Sequence, residues 1–283
     1  MSFSIKKWRT CGSSVRIVIG FLALAAMLIG CSAAGSGPGP GSTPPGTVIV
    51  YDAIPGLLPP NMASVGFEAT QTKEFGDYIH LAGANRLLKT VTVTMSDWAL
   101  RADYPLLPSV GWSHPITLNI YGAVPGTPLN QAGGLLATVT QSFIIPWRPP
   151  VDPSSPTPPG TAWKGSDGIW YNGLAFNITF DFGSLNITLP TDIIVGVAYN
   201  TQNYGVAAIG LTGPYNSLNV GAVGSATVGT DDNADRVFWN TSTPGWYADK
   251  GVPGGWGLFR EDTGWAADTP PSGTMPVQIK AAP

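Results

Sequence analysis

The sequence predicts an all-β fold, an antiparallel β-sandwich of jelly-roll-like form, in a single domain that follows a signal peptide and a flexible linker. Short segments in which apolar and polar residues alternate recur along the chain, as is typical of strands with one buried face. Gly, Pro and Asn turns separate these segments, which favours a sandwich. No long segment combines apolar residues at the 3.6-residue period of a helix with capping residues at its ends. The absence of a repeat of roughly 40 residues disfavours a propeller or barrel.

The N-terminal 30 residues have the parts of a bacterial lipoprotein signal peptide. Its basic region contains Lys6, Lys7, Arg9 and Arg16. An apolar run from 17 to 29 follows, and Gly30 stands directly before Cys31. We therefore expect residues 1–30 to be cleaved and Cys31 to carry a diacylglycerol thioether. An ordinary signal peptide or an uncleaved anchor helix is the alternative, but the run is shorter than the roughly 20 residues of a membrane span.

Lipidation predicts that the protein sits on a membrane without crossing it, in the bacterial cell envelope and on its extracytoplasmic face. Residues 31–47 comprise the lipidated cysteine and a segment made only of Ser, Ala, Gly, Pro and Thr. Such a composition cannot bury a core and predicts a solvated tether. The tether would hold a globular body clear of the lipid headgroups.

The charge and cysteine content exclude several functions for the predicted mature chain. Ten of the 14 Lys and Arg remain after cleavage, against 17 Asp and Glu, a net charge of about −7. Binding to nucleic acid is therefore not expected, because it depends on cations that neutralise phosphates. Both cysteines lie within the first 31 residues, so the body would have no disulfide, thiolate metal site or cysteine nucleophile.

The body, residues 48–283, is expected to form the β-sandwich domain as one unit. The proline-rich stretch from 149 to 160 has apolar segments on both sides and is interpreted as a loop inside this domain. Six alternating segments are predicted strands: Leu88–Trp98, Ile116–Tyr121, Leu135–Ile145, Ala175–Phe182, Ile193–Tyr199 and Met275–Lys280.

Candidate catalytic carboxylates are few. Glycoside hydrolysis requires two carboxyl groups a few ångströms apart. The best local pair is Glu74 and Asp77, because a bulge or tight turn at Gly76 would bring both to one side. The favoured interpretation is that Asp77 accepts backbone hydrogen bonds in a turn. His80 and His114 are the two histidines of the chain, and the sequence indicates no partner that would position either as a general base.

A structural calcium ion is the candidate cofactor. Asp231, Asn233 and Asp235 place oxygen-bearing side chains at alternating positions, as the start of a calcium loop does. The run lacks the glycine and the final glutamate of an EF-hand loop. A solvated turn is the alternative interpretation, and it is the favoured one.

Aromatic residues are concentrated in the C-terminal third, and they are the candidate ligand-binding residues. The set is Trp239, Trp246, Tyr247, Trp256 and Trp265, with Phe259 beside them. Flat rings on glycine-rich loops suit stacking on a sugar face, since they carry a large apolar surface. The favoured interpretation is that the rings pack into the core or anchor irregular loops.

Several strings spread over the body resemble those of a family of uncharacterised exported bacterial surface proteins with β-sandwich domains and varied anchors, the choice-of-anchor type. The strings are residues 63–70, 74–77, 91–98, 114–121, 145–149, 199–201 and 217–221. The resemblance implies a β-sandwich and an exported location. It implies no catalytic residue.

These observations predict a membrane-anchored extracytoplasmic lipoprotein with a non-catalytic β-sandwich domain. The expected role is surface structure or binding of a glycan or another envelope component, with the lipid as the contact to the membrane. The alternative is a secreted glycan-active hydrolase with a pair of acidic residues. Two carboxylates in a concave, aromatic-lined cleft would favour the hydrolase, and a flat aromatic strip would favour binding.

Overall fold

The computed structural model describes residues 46–67, 72–124, 130–156, 160–199, 218–231, 236–241, 258–263 and 273–283. All of them lie in one compact unit, Thr43–Pro283. The strands are β1 Val48–Asp52, β2 Ser64–Val65, β3 Thr72–His80, β4 Leu87–Asp97, β5 Trp112–Val124, β6 Gln131–Ile145, β7 Trp163–Lys164, β8 Trp170–Tyr171, β9 Leu174–Asp181, β10 Asp192–Ala198, β11 Leu218–Gly221, β12 Arg236–Thr241, β13 Arg260–Thr263 and β14 Val277–Ala282. A short 3-10 turn covers Arg101–Asp103.

The first large sheet is organised around β4. Strands β14 and β11 pair with successive parts of β4, and β9 pairs with it from Thr90 to Asp97. β1 pairs with β14 and β2 pairs with β11, so both lie at the ends of the sheet. Every one of these pairings is antiparallel.

The second large sheet closes on itself in the order β10, β3, β12, β13, β6 and β5. β5 and β6 form a long hairpin, and β5 also pairs with β10. The ring is completed between β13 and β6 by one residue pair, Arg260 with Gln131. The sequence predicts a sandwich in preference to a barrel, and the strand pattern contains no sign of this closure, because the closure depends on that single pair.

The core consists of apolar side chains from both sheets. The first sheet contributes Leu88, Val91, Val93 and Met95 of β4, together with Val277, Ile279 and Ala281 of β14. The closed sheet contributes Phe75 and Ile79 of β3, Val195 and Val197 of β10, and alternating residues of β5. The period of two in these strands is therefore what buries one face of each sheet against the other.

The prediction of an all-β, antiparallel, sandwich-like single domain is confirmed. All six predicted segments coincide with strands β4, β5, β6, β9, β10 and β14, with ends that differ by a few residues. β5 begins at Trp112 and contains Pro115, which the sequence analysis placed outside the strand. Pro115 lies where β5 pairs with β6 alone, so its missing N–H leaves no second ladder incomplete.

Candidate functional site

The closed sheet has a second face, opposite the core, which we call the Glu74 face. Residues paired across neighbouring strands project to the same side, so the registers define which residues share this face. One cross-strand row on it contains Thr138, Asn119, Gly196, Gly76, Phe238 and Glu261. Glu74 and Tyr121 lie two residues from Gly76 and Asn119 on their strands, and so project to the same face.

Two glycines form the floor of this face. Gly76 of β3 and Gly196 of β10 are directly paired. A Cβ atom on Gly196 would lie 2.3 Å from Glu74 Oε1 and 3.0 Å from Phe259 Cζ. The absence of a side chain at Gly196 therefore creates the space that the Glu74 carboxyl group and the Phe259 ring occupy.

Glu74 is held by two side chains of β5. Asn119 Nδ2 and Tyr121 Oη each donate a hydrogen bond of 2.9 Å to Glu74 Oε1. Thr138 Oγ1 donates to Asn119 Oδ1 at 2.8 Å and so fixes the orientation of the amide. Burial raises the pKa of Glu74, and the two hydrogen bonds oppose this effect without cancelling it. The carboxyl group thus has a fixed position and a greater tendency to be protonated than a solvated glutamate.

Aromatic rings flank this carboxyl group. Phe259 lies between Tyr121 and Phe238, with ring centroids 5.4 Å and 5.5 Å away. Tyr121 and Phe259 are partly exposed, whereas Phe238 is buried. Leu135, the partner of Tyr121 across the β5–β6 hairpin, is exposed. An apolar surface with partly exposed rings therefore borders the polar group formed by Glu74, Asn119 and Thr138.

Glu261 is another carboxylate on the Glu74 face, and it has a different environment. Asn130 donates to Glu261 through both its backbone N–H and its Nδ2, at 2.7 and 2.9 Å. Arg236 forms an ion pair with it at 3.6 Å. Glu261 is 1% exposed, and β12 separates its strand from that of Glu74. These contacts fasten the segment before β6 to β13.

Glu74 and Asp77 are not brought together. The register of β3 against β10 is continuous from Glu74 to His80, without the bulge or turn expected at Gly76. Residues three apart on a regular strand project to opposite faces. Asp77 therefore points towards the core side, where it accepts a hydrogen bond from Met275 N at 2.9 Å. The expected local acid pair does not form, because Gly76 serves the close packing of two strands instead.

The candidate calcium ligands are described only in part. Asp231 follows a segment that joins both sheets, and its Oδ2 accepts a hydrogen bond from Thr274 Oγ1. Asn233 and Asp235 lie outside the described residues. Within the ranges that the structure describes, no group of three or more His, Cys, Asp or Glu side chains is arranged to hold a metal ion.

Trp239 is the one candidate ligand-binding aromatic among the described residues. Its ring is 5% exposed and belongs to the core. Its Nε1 donates a hydrogen bond of 2.8 Å to Thr72 Oγ1. Trp239 thus packs in the domain, as the favoured interpretation of the aromatic residues held. The other candidates, Trp246, Tyr247, Trp256 and Trp265, lie outside the described residues, as does Cys31.

His80 has a partner that the sequence analysis missed. Its Nδ1 lies 2.9 Å from Asp192 Oδ1, and Tyr78 Oη donates to the same oxygen. Asp192 is opposite His80 across the β3–β10 ladder, a relationship that the sequence does not contain. Among the described contacts, no nucleophile lies beside this pair.

Comparison with family models, curated proteins and solved structures found no match to this chain. The resemblance to exported choice-of-anchor-type proteins therefore stays a prediction. Among the described residues, no helix combines the length and apolarity that crossing a bilayer requires.

Proposed function

We propose that this protein is a lipid-anchored, extracytoplasmic protein of the bacterial cell envelope whose β-sandwich domain binds a glycan without catalysis. The proposed binding surface is the Glu74 face. The anchor is the diacylglycerol on Cys31, and residues 31–47 tether the domain to it.

One observation carries the binding proposal: Glu74, Asn119 and Thr138 form a hydrogen-bonded polar group beside the rings of Tyr121 and Phe259. A sugar presents hydroxyl groups at its edge and C–H groups on its face. A carboxyl group, an amide and hydroxyls meet the first requirement, and aromatic rings meet the second. Binding sites typically combine an apolar lining with a few fixed polar groups in this way.

Geometry also supports binding over hydrolysis. The nearest pair of acids in the sequence, Glu74 and Asp77, projects to opposite faces of β3. Glu261 is engaged by Asn130 and Arg236, contacts that suit a structural carboxylate. Neither Asp77 nor Glu261 therefore has the arrangement expected of a carboxylate that activates water beside Glu74.

A glycan-array screen of the full chain in detergent tests the binding proposal. The matched variants are Glu74→Ala, which removes the acceptor of both hydrogen bonds, and Asp167→Ala, which removes the acceptor of the Tyr171 hydroxyl elsewhere on the surface. We expect binding by the wild type and by Asp167→Ala, and loss in Glu74→Ala. An array without binding, or binding that Glu74→Ala retains, overturns the proposal.

The anchor is tested separately by expressing the wild type and Cys31→Ala in a bacterial host. The wild type should incorporate radiolabelled palmitate and sediment with membranes, and Cys31→Ala should do neither. Equal labelling of the two forms would show that Cys31 is not the lipidation site.

A glycan-active hydrolase is the second candidate, and the raised pKa of Glu74 favours it. Burial raises the pKa of this carboxyl group, as a general acid at neutral pH requires. Glu74→Gln keeps the shape of the side chain but cannot donate the acidic proton. Release of reducing sugar that is present in the wild type and abolished in Glu74→Gln would establish the hydrolase, whereas binding without release supports the non-catalytic role.

A further inference from the structure

Strand β6 is paired along one of its two edges. Its 15 residues pair with β5 from Gln131 to Ile145. On the opposite edge, the described residues pair with β6 once, where Arg260 meets Gln131. Strand residues direct their backbone N–H and C=O groups to the two edges in turn. Beyond Gln131, no backbone hydrogen bond to the outer edge of β6 is found among the described residues.

Residues 137–145 form the regular part of this strand, which we call the β6 edge segment. Their register against β5 is continuous, whereas the pairing closer to Gln131 contains two shifts. On one side of the segment, Ile144 is 59% exposed. On the other side, Val139 and Phe143 pack against the core but remain partly exposed. The segment therefore presents an extended backbone edge with apolar surface on both sides.

The β6 edge segment contains no Lys, Arg, Asp, Glu or Pro. Monomeric proteins usually protect an exposed edge with such residues, with a bulge or with a very short strand. The terminal strands of the first sheet follow this rule, since β1 contains a register shift and β2 has two residues. An uncharged segment of roughly seven or more β-favouring residues on an edge pairs readily with another strand. The β6 edge segment has none of the usual protection.

The domain holds this edge in a fixed position. Gln141 Oε1 accepts a hydrogen bond of 2.9 Å from Asp181 N at the end of β9. The rings of Phe143 and Phe180 meet edge to face, with centroids 5.0 Å apart. These contacts join β6 to the first sheet from the core side. The outer backbone edge is thus already extended and ordered, which lowers the entropic cost of adding a strand.

A second copy of the same strand suits this edge. The predicted mature chain has a net charge of about −7, so two copies repel each other in general. They can meet at the β6 edge segment without bringing like charges together. Antiparallel pairing about a two-fold axis at Gln141 would place Thr140 opposite the second copy's Ser142, and Val139 opposite the second copy's Phe143. Hydroxyl then faces hydroxyl and apolar faces apolar, as favourable cross-strand pairs do.

We propose that this protein forms a homodimer in which the β6 edge segments of two copies pair antiparallel about a two-fold axis at Gln141. The pairing joins the closed sheets of the two copies, and its backbone hydrogen bonds satisfy the outer edge of β6. It also covers the exposed parts of Val139 and Phe143. The same surface is used by both copies, as closed two-fold symmetry requires. The Glu74 carboxyl group takes no part, so the dimer does not depend on glycan binding.

Sedimentation equilibrium of the full chain in a density-matched detergent, without glycan, tests the proposal. We expect the wild type to be dimeric at micromolar concentration. Ser142→Lys places a charge on the exposed side of β6, and the two copies of that charge would lie diagonally across the axis. The Kd of the dimer should rise about tenfold or more. Ser166→Lys, the same change at an exposed position between β7 and β8, should keep the wild-type Kd.

Hydrogen exchange measured by mass spectrometry locates the contact. In the wild type and in Ser166→Lys, amides of residues 137–145 should exchange more slowly above the Kd than below it. Circular dichroism establishes that Ser142→Lys is folded. A wild type that stays monomeric overturns the proposal and leaves the edge to a strand of another protein. A wild-type Kd in Ser142→Lys overturns it too, as does a dimer whose exchange at residues 137–145 is the same at both concentrations.

Discussion

Glu74 and Asp77, three residues apart on the same strand, project to opposite faces of the closed sheet. Glu74 is hydrogen-bonded to Asn119 and Tyr121 on the face away from the core, and Asp77 accepts a hydrogen bond from Met275 N on the other. Two carboxylates that are close in the sequence are therefore separated by the sheet. Glu74 lies on the face proposed to bind a glycan, and Asp77 lies on the core side.

Because Gly196 lies under the Glu74 carboxyl group and the Phe259 ring, we predict that Gly196→Ala impairs glycan binding more than it impairs folding. The new Cβ would lie 2.3 Å from Glu74 Oε1 and 3.0 Å from Phe259 Cζ, and both atoms end side chains that can shift. We expect loss of glycan binding with a decrease in unfolding free energy of about 1–2 kcal/mol. Gly134→Ala, on β6 and with nothing within 4 Å of its Cβ, should leave binding and the urea midpoint unchanged. Equal binding by both variants would contradict the account.

Stability should depend on the protonation of Glu74. Because burial raises the pKa of Glu74 in the folded state above its ordinary value of 4.5, the folded state binds more protons, and stability is lost as pH rises above about 4.5. Glu74→Gln mimics the protonated group. The unfolding free energy of the variant minus that of the wild type should therefore increase between pH 4 and pH 7, as measured by urea unfolding. Parallel pH profiles would exclude this contribution.

His114 should have the opposite effect. Burial lowers the pKa of His114 from 6.5 to about 4, so the unfolded state binds more protons in this window and stability is lost as pH falls from about 6.5 through 4. The full loss of unfolding free energy across this pH range is roughly 3 kcal/mol. In His114→Gln, the urea midpoint of unfolding should no longer fall with pH between 6.5 and 4 as it does in the wild type. A variant that keeps the acid sensitivity of the wild type would assign it to other groups.

Trp239 is predicted to matter for stability and not for binding. Trp239→Phe removes a buried hydrogen bond to Thr72 and leaves a small cavity, so we expect a loss of about 1–3 kcal/mol in unfolding free energy. Glycan binding should be unchanged. Trp98→Phe is the control, because Trp98 is 37% exposed and donates to Ser96, and its cost should be smaller. Loss of binding in Trp239→Phe with full stability would return this residue to the ligand site.

The fold class could be predicted because most strands bury one face only. β9 shows the alternation clearly, since one side faces the core and the other is more exposed. β4 shows it in sequence, but all of its residues from Val93 to Asp97 are buried. β12 was missed because Phe238 is buried on the Glu74 face while Val237 and Trp239 are buried on the core face. A strand that is covered on both sides has no alternation to detect.

The candidate sites were less predictable, because each is assembled across strands. Asn119 and Tyr121 contact Glu74 from a strand some 45 residues away, and Met275 donates to Asp77 across 198 positions. Residue type alone identified Glu74, Asp77 and Asp231 as candidates. Partner assignment failed, since it depends on register and on which face each residue occupies, and both are properties of the folded sheet.

The central claim, that the Glu74 face recognises a glycan, is tested most directly by isothermal titration of the best glycan from the array into Tyr121→Phe and Tyr171→Phe. Both substitutions remove a hydroxyl group that donates to a carboxylate, Glu74 in one case and Asp167 in the other. We predict that Kd rises about tenfold in Tyr121→Phe and stays at the wild-type value in Tyr171→Phe. Equal affinity in the two variants would contradict the account.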